Sequence, residues 1–317
     1  MQIFRKLDDL PADFGPTLIS VGNFDGVHRA HRKVLSTIVE RARKQQIKSM
    51  AVTFEPHPMR ILRPDSGLRL ITPTAEKVRL LAETGLDATL LLPFARDLSL
   101  MPPHRFAHEI LVRALRAMEV HEGYNFHFGH RAEGNVDMLA KFGREMGFQV
   151  ELYSEMRLRG EPVSSSHIRK LIAEGRVSRA RHLLARPFSV LSTAGRGHGR
   201  GSKYTVPTIN LSRYEELVPK YGVYITRTHL GEECFDSVTN VGDRPTFGAD
   251  SFAIETHLLN FHPLDVTAET EVEIYFLDRI RDEIKFPSVE NLLEQIGKDI
   301  GRAKRYFRLL NARTRAR

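Results

Sequence analysis

The segment that most constrains this chain joins an apolar strand to a helix through a short glycine-bearing turn. The run at 17–21 predicts a buried strand, and the apolar spacing from Val34 to Ala42 predicts one face of a helix. The first N–H groups of a helix lack intrahelical partners and carry the positive end of its dipole. This turn therefore predicts a phosphate-binding site.

Two histidines mark the start of that helix. His28 and His31 are three residues apart and share a face, so both can donate hydrogen bonds to a phosphate chain. Glycines at 22 and 26 allow the backbone to approach the phosphate closely. A histidine pair by itself is more often a helix cap or a solvated surface, so the phosphate interpretation depends on the whole segment.

Strand-like runs alternate with helical patterns through the first half of the chain. This alternation predicts right-handed crossovers and a parallel sheet covered on both faces, with ligands at the carboxyl ends of the strands. The strands are expected at 17–21, 49–54, 88–92, 120–123 and 149–153, and the helices at 28–45, 74–84, 103–117 and 136–146.

The pattern changes beyond Ala185. Short strand candidates separated by turns predict a small antiparallel barrel, with strands at 188–193, 221–228, 233–241, 253–260 and 271–277. A final helix at 288–310 is expected to pack on the barrel through an apolar face that runs from Val289 to Phe307, and the tail 311–317 is expected to fray. We therefore predict an α/β domain at 1–185 and a barrel domain at 186–317.

Composition is consistent with this division. A chain of 317 residues is expected to form two domains. Its net charge of +8 suits nucleotides, nucleic acid and acidic lipid alike. The single Cys234 excludes a disulfide framework and a multi-thiolate metal site. Since no apolar run reaches the roughly 18 residues that span a bilayer, we expect a cytoplasmic protein. No sequence feature fixes the oligomeric state.

Two further segments of the first half carry candidate ligand groups. After the fourth strand, Asn125, Phe126 and Phe128 lie in a glycine-bracketed loop that suits the stacking of a planar ligand ring, although core packing explains an aromatic cluster equally well. Ser165 and Ser166 open a short helix that also contains Arg169. The serines predict a helix cap or, together with the arginine, a phosphate-binding site.

The second half has a glycine- and arginine-rich segment at 195–203. Gly199 and Gly201 can wrap nucleotide phosphates, but such a segment fits a flexible RNA-binding loop as well. Shortly after it come Pro207, Thr208 and Asn210. The hydroxyl of Thr208 and the amide oxygen of Asn210 are hard ligands suited to Mg²⁺.

These stretches together resemble the bacterial bifunctional riboflavin kinase and FAD synthetase family. The sequence G-N-F-D-G-V-H at 22–28 resembles the family's start, and the two histidines resemble the H-x-G-H signature of nucleotidyltransferases. The family-like stretches follow in the family order and span the chain from about Leu18 to Phe307. They include F-E-P-H-P at 54–58 and the segments 123–129, 163–169, 206–211, 240–248 and 254–261.

The resemblance implies two ATP- and Mg²⁺-dependent reactions. The barrel would phosphorylate riboflavin to FMN, with Glu255 as general base and Thr208 and Asn210 as metal ligands. The first domain would join FMN to AMP, giving FAD and pyrophosphate, with His28, His31 and Arg169 stabilising the transferred phosphorus. The implied nucleotide- and flavin-binding residues are Gly22, Asn23, Phe24, Asp25, Gly26, Asn125, Phe126, Phe128, Ser165, Ser166, Gly199, Gly201, Pro207 and Arg244.

Among the departures from the family pattern, three bear on whether both activities are retained. Ala30 replaces the glycine between the histidines, His127 replaces an arginine of the flavin loop, and Thr205 replaces a glycine of the kinase motif. The methyl group of Ala30 is expected to crowd the nucleotide. One alternative is therefore the same fold with one activity weakened. A second, of another class, is a basic nucleic-acid-binding protein that uses the positive charge and the Gly/Arg segment.

Overall fold

The computed structural model of this chain describes residues 1–195, 208–212, 214–243, 252–262 and 266–315. These residues form two compact units, Met1–His167 and Ile168–Arg317. Within the described residues, no helix is both long enough and apolar enough to cross a membrane.

The first unit is built on a parallel sheet of six strands. Their spatial order is β1-β4-β3-β2-β5-β6, and every neighbouring pair is parallel, which confirms the predicted α/β sheet. The three-residue β1 was not predicted, because so short a run has no measurable alternation. The bounds are β1 Gln2–Phe4, β2 Thr17–Val21, β3 Lys48–Glu55, β4 Ala88–Pro93, β5 Ala117–Gly123 and β6 Gln149–Tyr153.

Helices cover this sheet, and apolar side chains fill a core on each face. Ile19 and Leu18 of β2, for example, belong to the two different core clusters, as expected for a strand buried on both sides. The helices are α1 Arg29–Gln45, α2 Pro58–Leu62, α3 Thr74–Ala82, α4 Arg96–Ser99, α5 Pro103–Arg105, which continues as π-helical turns at Phe106–Ala114, and α6 Val136–Met146.

The predicted helix at 103–117 is too long. Helical turns end at Ala114, Arg116 has a positive φ of 50°, and Ala117 already belongs to β5. Short elements complete the unit, namely 3₁₀ turns at Leu7–Asp9, Pro64–Ser66 and His130–Ala132 and the antiparallel pair β7 Arg157–Leu158 and β8 Glu161–Pro162.

The second unit contains a closed barrel whose neighbouring strands are all antiparallel, in the order β10-β13-β12-β11-β14-β9. This confirms the predicted barrel. Two helices precede it, α7 Ser165–Ala173, whose first turn belongs to the first unit, and α8 Val177–Leu184. The strands are β9 Phe188–Gly195, β10 Thr208–Leu211, β11 Gly222–Leu230, β12 Glu233–Asp243, β13 Phe252–Leu258 and β14 Glu271–Arg281.

The final helix, α9 Val289–Arg315, corrects two expectations. It continues through most of the segment expected to fray, since residues 302–315 contain no glycine or proline to end it. Its apolar face is also less buried than predicted. Ala303 and Phe307 pack in a cluster with residues of the barrel strands, whereas Val289 and Leu293 are exposed.

Five buried hydroxyl groups form a closed circuit inside the barrel. Thr226 lies 2.8 Å from Ser237, which lies 2.8 Å from Thr228. Thr228 is 3.1 Å from Thr256, Thr256 is 2.9 Å from Thr239, and Thr239 is 2.7 Å from Thr226. Each hydroxyl can donate one hydrogen bond and accept another, so the circuit satisfies these polar groups away from water.

Candidate active sites

The turn after β2 lies at the point where the order of the strands in the sheet reverses. From β2 the chain builds β3 and β4 on one side and then crosses to place β5 on the other. In open α/β sheets, the crevice at the carboxyl ends of two such strands is where ligands bind. The predicted nucleotide turn therefore occupies the expected position.

Buried side chains hold this turn in an uncommon conformation. Phe24 and Val27 have positive φ values of 48° and 36°, which side-chain-bearing residues adopt at a cost. The carboxylate of Asp25 is buried and accepts hydrogen bonds from the backbone N–H groups of Ile71 at 2.9 Å and Thr72 at 3.1 Å. Asp25 thus anchors the shape of the turn.

The two histidines pack directly against each other. His28 is the N-cap of α1, and its Nδ1 accepts a hydrogen bond from the backbone N–H of His31 at 3.4 Å. Their rings are stacked, with centroids 3.6 Å apart. Burial, reinforced by the neighbouring His28, holds the pKa of His31 well below its usual value. His31 is therefore a neutral imidazole near pH 7.

A buried lysine that the sequence analysis missed lies beneath the turn. Lys77 of α3 is 4% exposed, and its Nζ donates to the Thr53 hydroxyl at 3.1 Å and to the Asn23 carbonyl at 3.4 Å. Burial lowers its pKa despite the nearby carboxylates. A signal was present in the sequence, because Lys77 shares the spacing of the buried Leu80 and Leu81.

Glu122, near the end of β5, was also missed. Its side chain is 4% exposed, and its Oε1 accepts a hydrogen bond from the backbone N–H of Val21 at 2.6 Å. Burial raises the pKa of this carboxyl group well above its usual value. Little signal was available in the sequence, because the strand AMEVHEG also contains Glu119 and His121.

The predicted flavin loop follows directly after β5. Asn125 is exposed, Phe126 is half-buried and Phe128 is buried in the core. The two phenylalanine rings are stacked with centroids 5.4 Å apart, and Phe128 also packs on Phe106 at 5.8 Å. Phe128 thus supports the loop from within, while Phe126 and Asn125 are more accessible.

The serines at the start of α7 make different hydrogen bonds. The hydroxyl of Ser165 donates to the Asp25 carbonyl at 2.8 Å, so it ties this helix to the nucleotide turn. The hydroxyl oxygen of Ser164 accepts a hydrogen bond from the backbone N–H of His167 at 3.3 Å, so Ser164 caps the N-terminus of the helix. Ser166 is exposed, and the half-buried Arg169 lies one turn further along the same helix.

In the barrel, three predicted or motif residues lie side by side. Glu255 of β13 is in register with Asn210 of β10 on one side and Asn240 of β12 on the other. Registered cross-strand neighbours share one face of a sheet. Glu255 is exposed while the next residue, Thr256, is buried in the hydroxyl circuit, so the row faces away from the barrel interior.

The same row brings together oxygen ligands suited to Mg²⁺. Thr208 lies two residues before Asn210 on β10, so both side chains lie on the face of Glu255. Hydroxyl, amide and carboxylate oxygens fit a hard cation that keeps water and phosphate ligands. The described residues contain no cluster of three or more His, Cys, Asp or Glu that could hold a metal by themselves.

Four predicted nucleotide-binding residues lie outside the described residues. They are Gly199, Gly201, Pro207 and Arg244. The departure at Thr205 lies there as well.

The fold and the converging motif residues define a two-domain transferase. Its first 167 residues include a match to the family model described as FAD synthetase, at 11–167, and its second unit includes a match to the model described as riboflavin kinase, at 184–307. These matches cover most of the chain in the predicted order.

Relatives of full length agree with both matches. The chain is 32% identical over 311 residues to the bifunctional riboflavin kinase/FMN adenylyltransferase of Escherichia coli (strain K12), with 98% of this chain and 99% of the relative covered. It is 30% identical over 314 residues to the protein of that name from Buchnera aphidicola subsp. Schizaphis graminum, with 98% and 100% covered. The chain belongs to the bifunctional riboflavin kinase/FMN adenylyltransferase family.

A solved structure shares the fold. The "Macrolide-efflux Protein" from Streptococcus pneumoniae matches with a TM-score of 0.85 and 25% identity, covering 95% of this chain and 98% of that one. Its name describes that protein, and the likeness lies in the fold.

Proposed function

We propose that the two family activities, riboflavin kinase and FMN adenylyltransferase, are divided between the two units, with the residues described above performing them. The observation that carries this proposal is that motif residues distant in sequence converge at one place in each unit: at the carboxyl edge of β2 and β5 in the first, and across β10, β13 and β12 in the barrel. Ala185 is proposed as the boundary between the catalytic domains, since the riboflavin kinase match begins at residue 184.

In the first unit, an oxygen of the FMN phosphate attacks the α-phosphorus of ATP. The new P–O bond forms as the bond to the β-phosphate oxygen breaks, and pyrophosphate leaves. The protein supplies position and charge stabilisation rather than a nucleophile. The N-terminus of α1, His28 and His31 donate hydrogen bonds to oxygens of the transferring phosphate. The family resemblance assigns Arg169 of α7 to the leaving pyrophosphate.

We assign substrate contacts in this unit to the residues that are accessible to solvent. Phe126 provides the stacking surface for the flavin ring, with Phe128 behind it, and Asn125 provides a polar contact. The backbone from Gly22 to Gly26 contacts nucleotide phosphate, while Asp25 and Ser165 keep that turn in shape. Ser166 is the more exposed serine and is assigned to phosphate.

In the barrel, Glu255 acts as general base. It takes the proton from the terminal ribityl hydroxyl of riboflavin as the hydroxyl oxygen attacks the γ-phosphorus of ATP, and ADP leaves. Asn240 lies beside the base and is suited to orient the hydroxyl. Thr208 and Asn210 would hold Mg²⁺, which neutralises phosphate charge when bound. Gly199, Gly201, Pro207 and Arg244 stay predicted contacts of this nucleotide.

Small molecules, namely ATP, riboflavin and FMN, are the proposed partners. A cytoplasmic location stays a prediction of the sequence. The nucleic-acid alternative makes a separate prediction, which is RNA binding that weakens steeply with salt in a protein without ATP turnover.

The test is a time course. The purified chain is incubated with riboflavin, ATP and Mg²⁺, with a matched reaction containing EDTA, and the flavins are separated by chromatography. FMN followed by FAD, in the Mg²⁺ reaction, is the expected result. If only FMN forms, the adenylyl-transfer step is defective, which points to Ala30 in the first unit. If FAD forms from added FMN but not from riboflavin, the kinase step is defective, which points to Thr205 in the kinase motif. No flavin product from either substrate would overturn the proposal.

A further inference from the structure

Two central strands separate just before the nucleotide turn. The ladder between β2 and β5 is last paired at Ile19 and Val120, whereas the ladder between β2 and β3 continues to Val21 and Val52. Separation on one side opens a crevice at the carboxyl edge of the sheet. It also deprives the backbone N–H of Val21 of a strand partner on the β5 side.

The carboxyl group of Glu122 replaces that partner. Its Oε1 lies 2.6 Å from the Val21 nitrogen, in a buried position. A buried N–H group without an acceptor is costly, so this contact stabilises the separated strand ends. A valine or leucine at residue 122 would fill the space but would leave the N–H group unpaired.

A carboxyl group is unfavourable at this buried position of Glu122. Burial disfavours a charged carboxylate, and it raises the pKa of Glu122 although the Val21 N–H group acts in the opposite direction. The neutral acid offers a carbonyl oxygen as acceptor, as an amide does. Chains tend to break packing rules of this kind at functional sites.

The hydrogen bond also joins two substrate segments. Val21 directly precedes Gly22 and the nucleotide turn, and Glu122 directly precedes Gly123 and the flavin loop. One contact therefore sets the spacing between the backbone that approaches ATP and the loop that approaches the flavin. In-line transfer needs the two substrates held in a fixed relation, because small displacements of reacting atoms cost rate.

We propose that Glu122 is a positioning residue for adenylyl transfer, and that its side-chain oxygen fixes Val21 and so the distance between the nucleotide turn and the flavin loop. This inference rests on the proposed function of the first unit. It differs from a role in proton transfer in one testable respect: an acceptor of fixed geometry can be replaced by an amide, whereas a base cannot.

The test compares three variants of the full chain. Glu122→Gln keeps a carbonyl acceptor, and Glu122→Met removes it at similar volume. Glu119→Gln is the matched control, because Glu119 is a buried carboxylate of the same strand that binds Arg41 and the side chain of Gln45. FAD formation from FMN and ATP is measured with kcat and KM separated, and FMN formation from riboflavin reports on the barrel in the same sample.

We expect Glu122→Gln to keep kcat/KM for FAD formation within about three-fold of the parent chain from pH 6 to 8, and Glu122→Met to lower it by about ten-fold or more. FMN formation should stay within about two-fold in all variants. Hydrogen exchange should become faster at the Val21 amide in Glu122→Met and stay slow in Glu122→Gln.

Three results would overturn the inference: full FAD-forming activity in Glu122→Met, a loss in Glu122→Gln as large as in Glu122→Met, or an equal loss in Glu119→Gln. If Glu122→Met does not fold, Glu122→Asn replaces it, since the shorter amide withdraws the carbonyl from Val21, and the same fall in kcat/KM is expected. A parent chain that makes no FAD would instead contradict the proposed function itself.

Discussion

The imidazole rings of His28 and His31 are stacked, with centroids 3.6 Å apart and planes inclined by 15°. Two rings in this arrangement cannot both be protonated without strong repulsion, and burial already disfavours the charged form of His31. The arrangement therefore provides a neutral hydrogen-bond donor at His31 rather than two fixed positive charges at the helix start.

This arrangement predicts how stability depends on pH. The pKa of His31 is lower in the folded state than in the unfolded chain, so the unfolded chain binds more protons as the pH falls below about 6.5. The contribution of His31 should therefore lower the free energy of unfolding of the first unit as the pH falls, by at most ~1.4 kcal/mol per pH unit, while Glu122, whose pKa burial raises, contributes in the opposite direction. Urea unfolding between about pH 5 and 8 measures it.

The variant His31→Gln should show a shallower fall. It should keep part of the fall, because the pKa of the buried His121 is also lowered by burial. His108→Gln is the control, since His108 is exposed. A slope in His31→Gln equal to that of the parent chain would contradict the prediction.

Separate sites predict separate losses of activity. His31→Ala should lower FAD formation from FMN by about 100-fold or more, since it removes a donor to the oxygens of the transferring phosphate, and should leave FMN formation unchanged. Glu255→Gln should lower riboflavin phosphorylation by about 100-fold or more and leave FAD formation from FMN unchanged. Each reaction is assayed with its own flavin substrate. Loss of both reactions in either folded variant would show that the sites are not independent.

Ala30 lies half-buried in the first turn of α1, between the two histidines. Ala30→Gly should raise kcat/KM for adenylyl transfer several-fold, because the backbone can then approach the nucleotide more closely. It should also lower the stability of the helix, by at most about 1 kcal/mol. Ser36→Gly, at an exposed position of the same helix, carries the stability cost without the catalytic gain. An unchanged or lower kcat/KM in Ala30→Gly would show that the methyl group does not hinder the nucleotide.

The hydroxyl circuit of the barrel makes a prediction about stability. Thr256→Val removes the hydrogen-bond partner shared by Thr228 and Thr239 and should lower the free energy of unfolding by about 1–3 kcal/mol. Thr256→Ser keeps the hydroxyl and should lose less. Denaturant unfolding of the barrel measures both. A loss in Thr256→Val no larger than the loss in Thr256→Ser would contradict the prediction, because the hydroxyl would then contribute no more to stability than the methyl group.

Elements with regular patterns were predicted well from the sequence. The strands at 17–21 and 149–153 and the helix at 136–146 have the predicted bounds, because each has a periodic apolar face between clear turn signals. Both proposed catalytic segments were predicted through motifs, and the sheet topology explains why residues as distant as Asn210 and Glu255 are neighbours.

Features that depend on tertiary contacts were missed. Lys77 and Glu122 belong to residue types that are usually exposed, and their burial is set by Asn23 and Val21, which are distant in sequence. The strand β10 was not predicted, since a four-residue strand gives too little alternation to detect. Likewise, the apolar spacing of α9 could not show that Val289 is exposed in the folded chain.

The closed circuit of hydroxyls makes the register of β11, β12 and β13 an all-or-none property. Side chains alternate between the two faces of a strand, so a slip of one residue would turn Thr256 outward and Glu255 inward. Every hydroxyl contact across that strand would then be lost together. The alignment of Glu255 with Asn210 and Asn240 therefore depends on buried hydroxyl groups inside the barrel, on the opposite face of the strand.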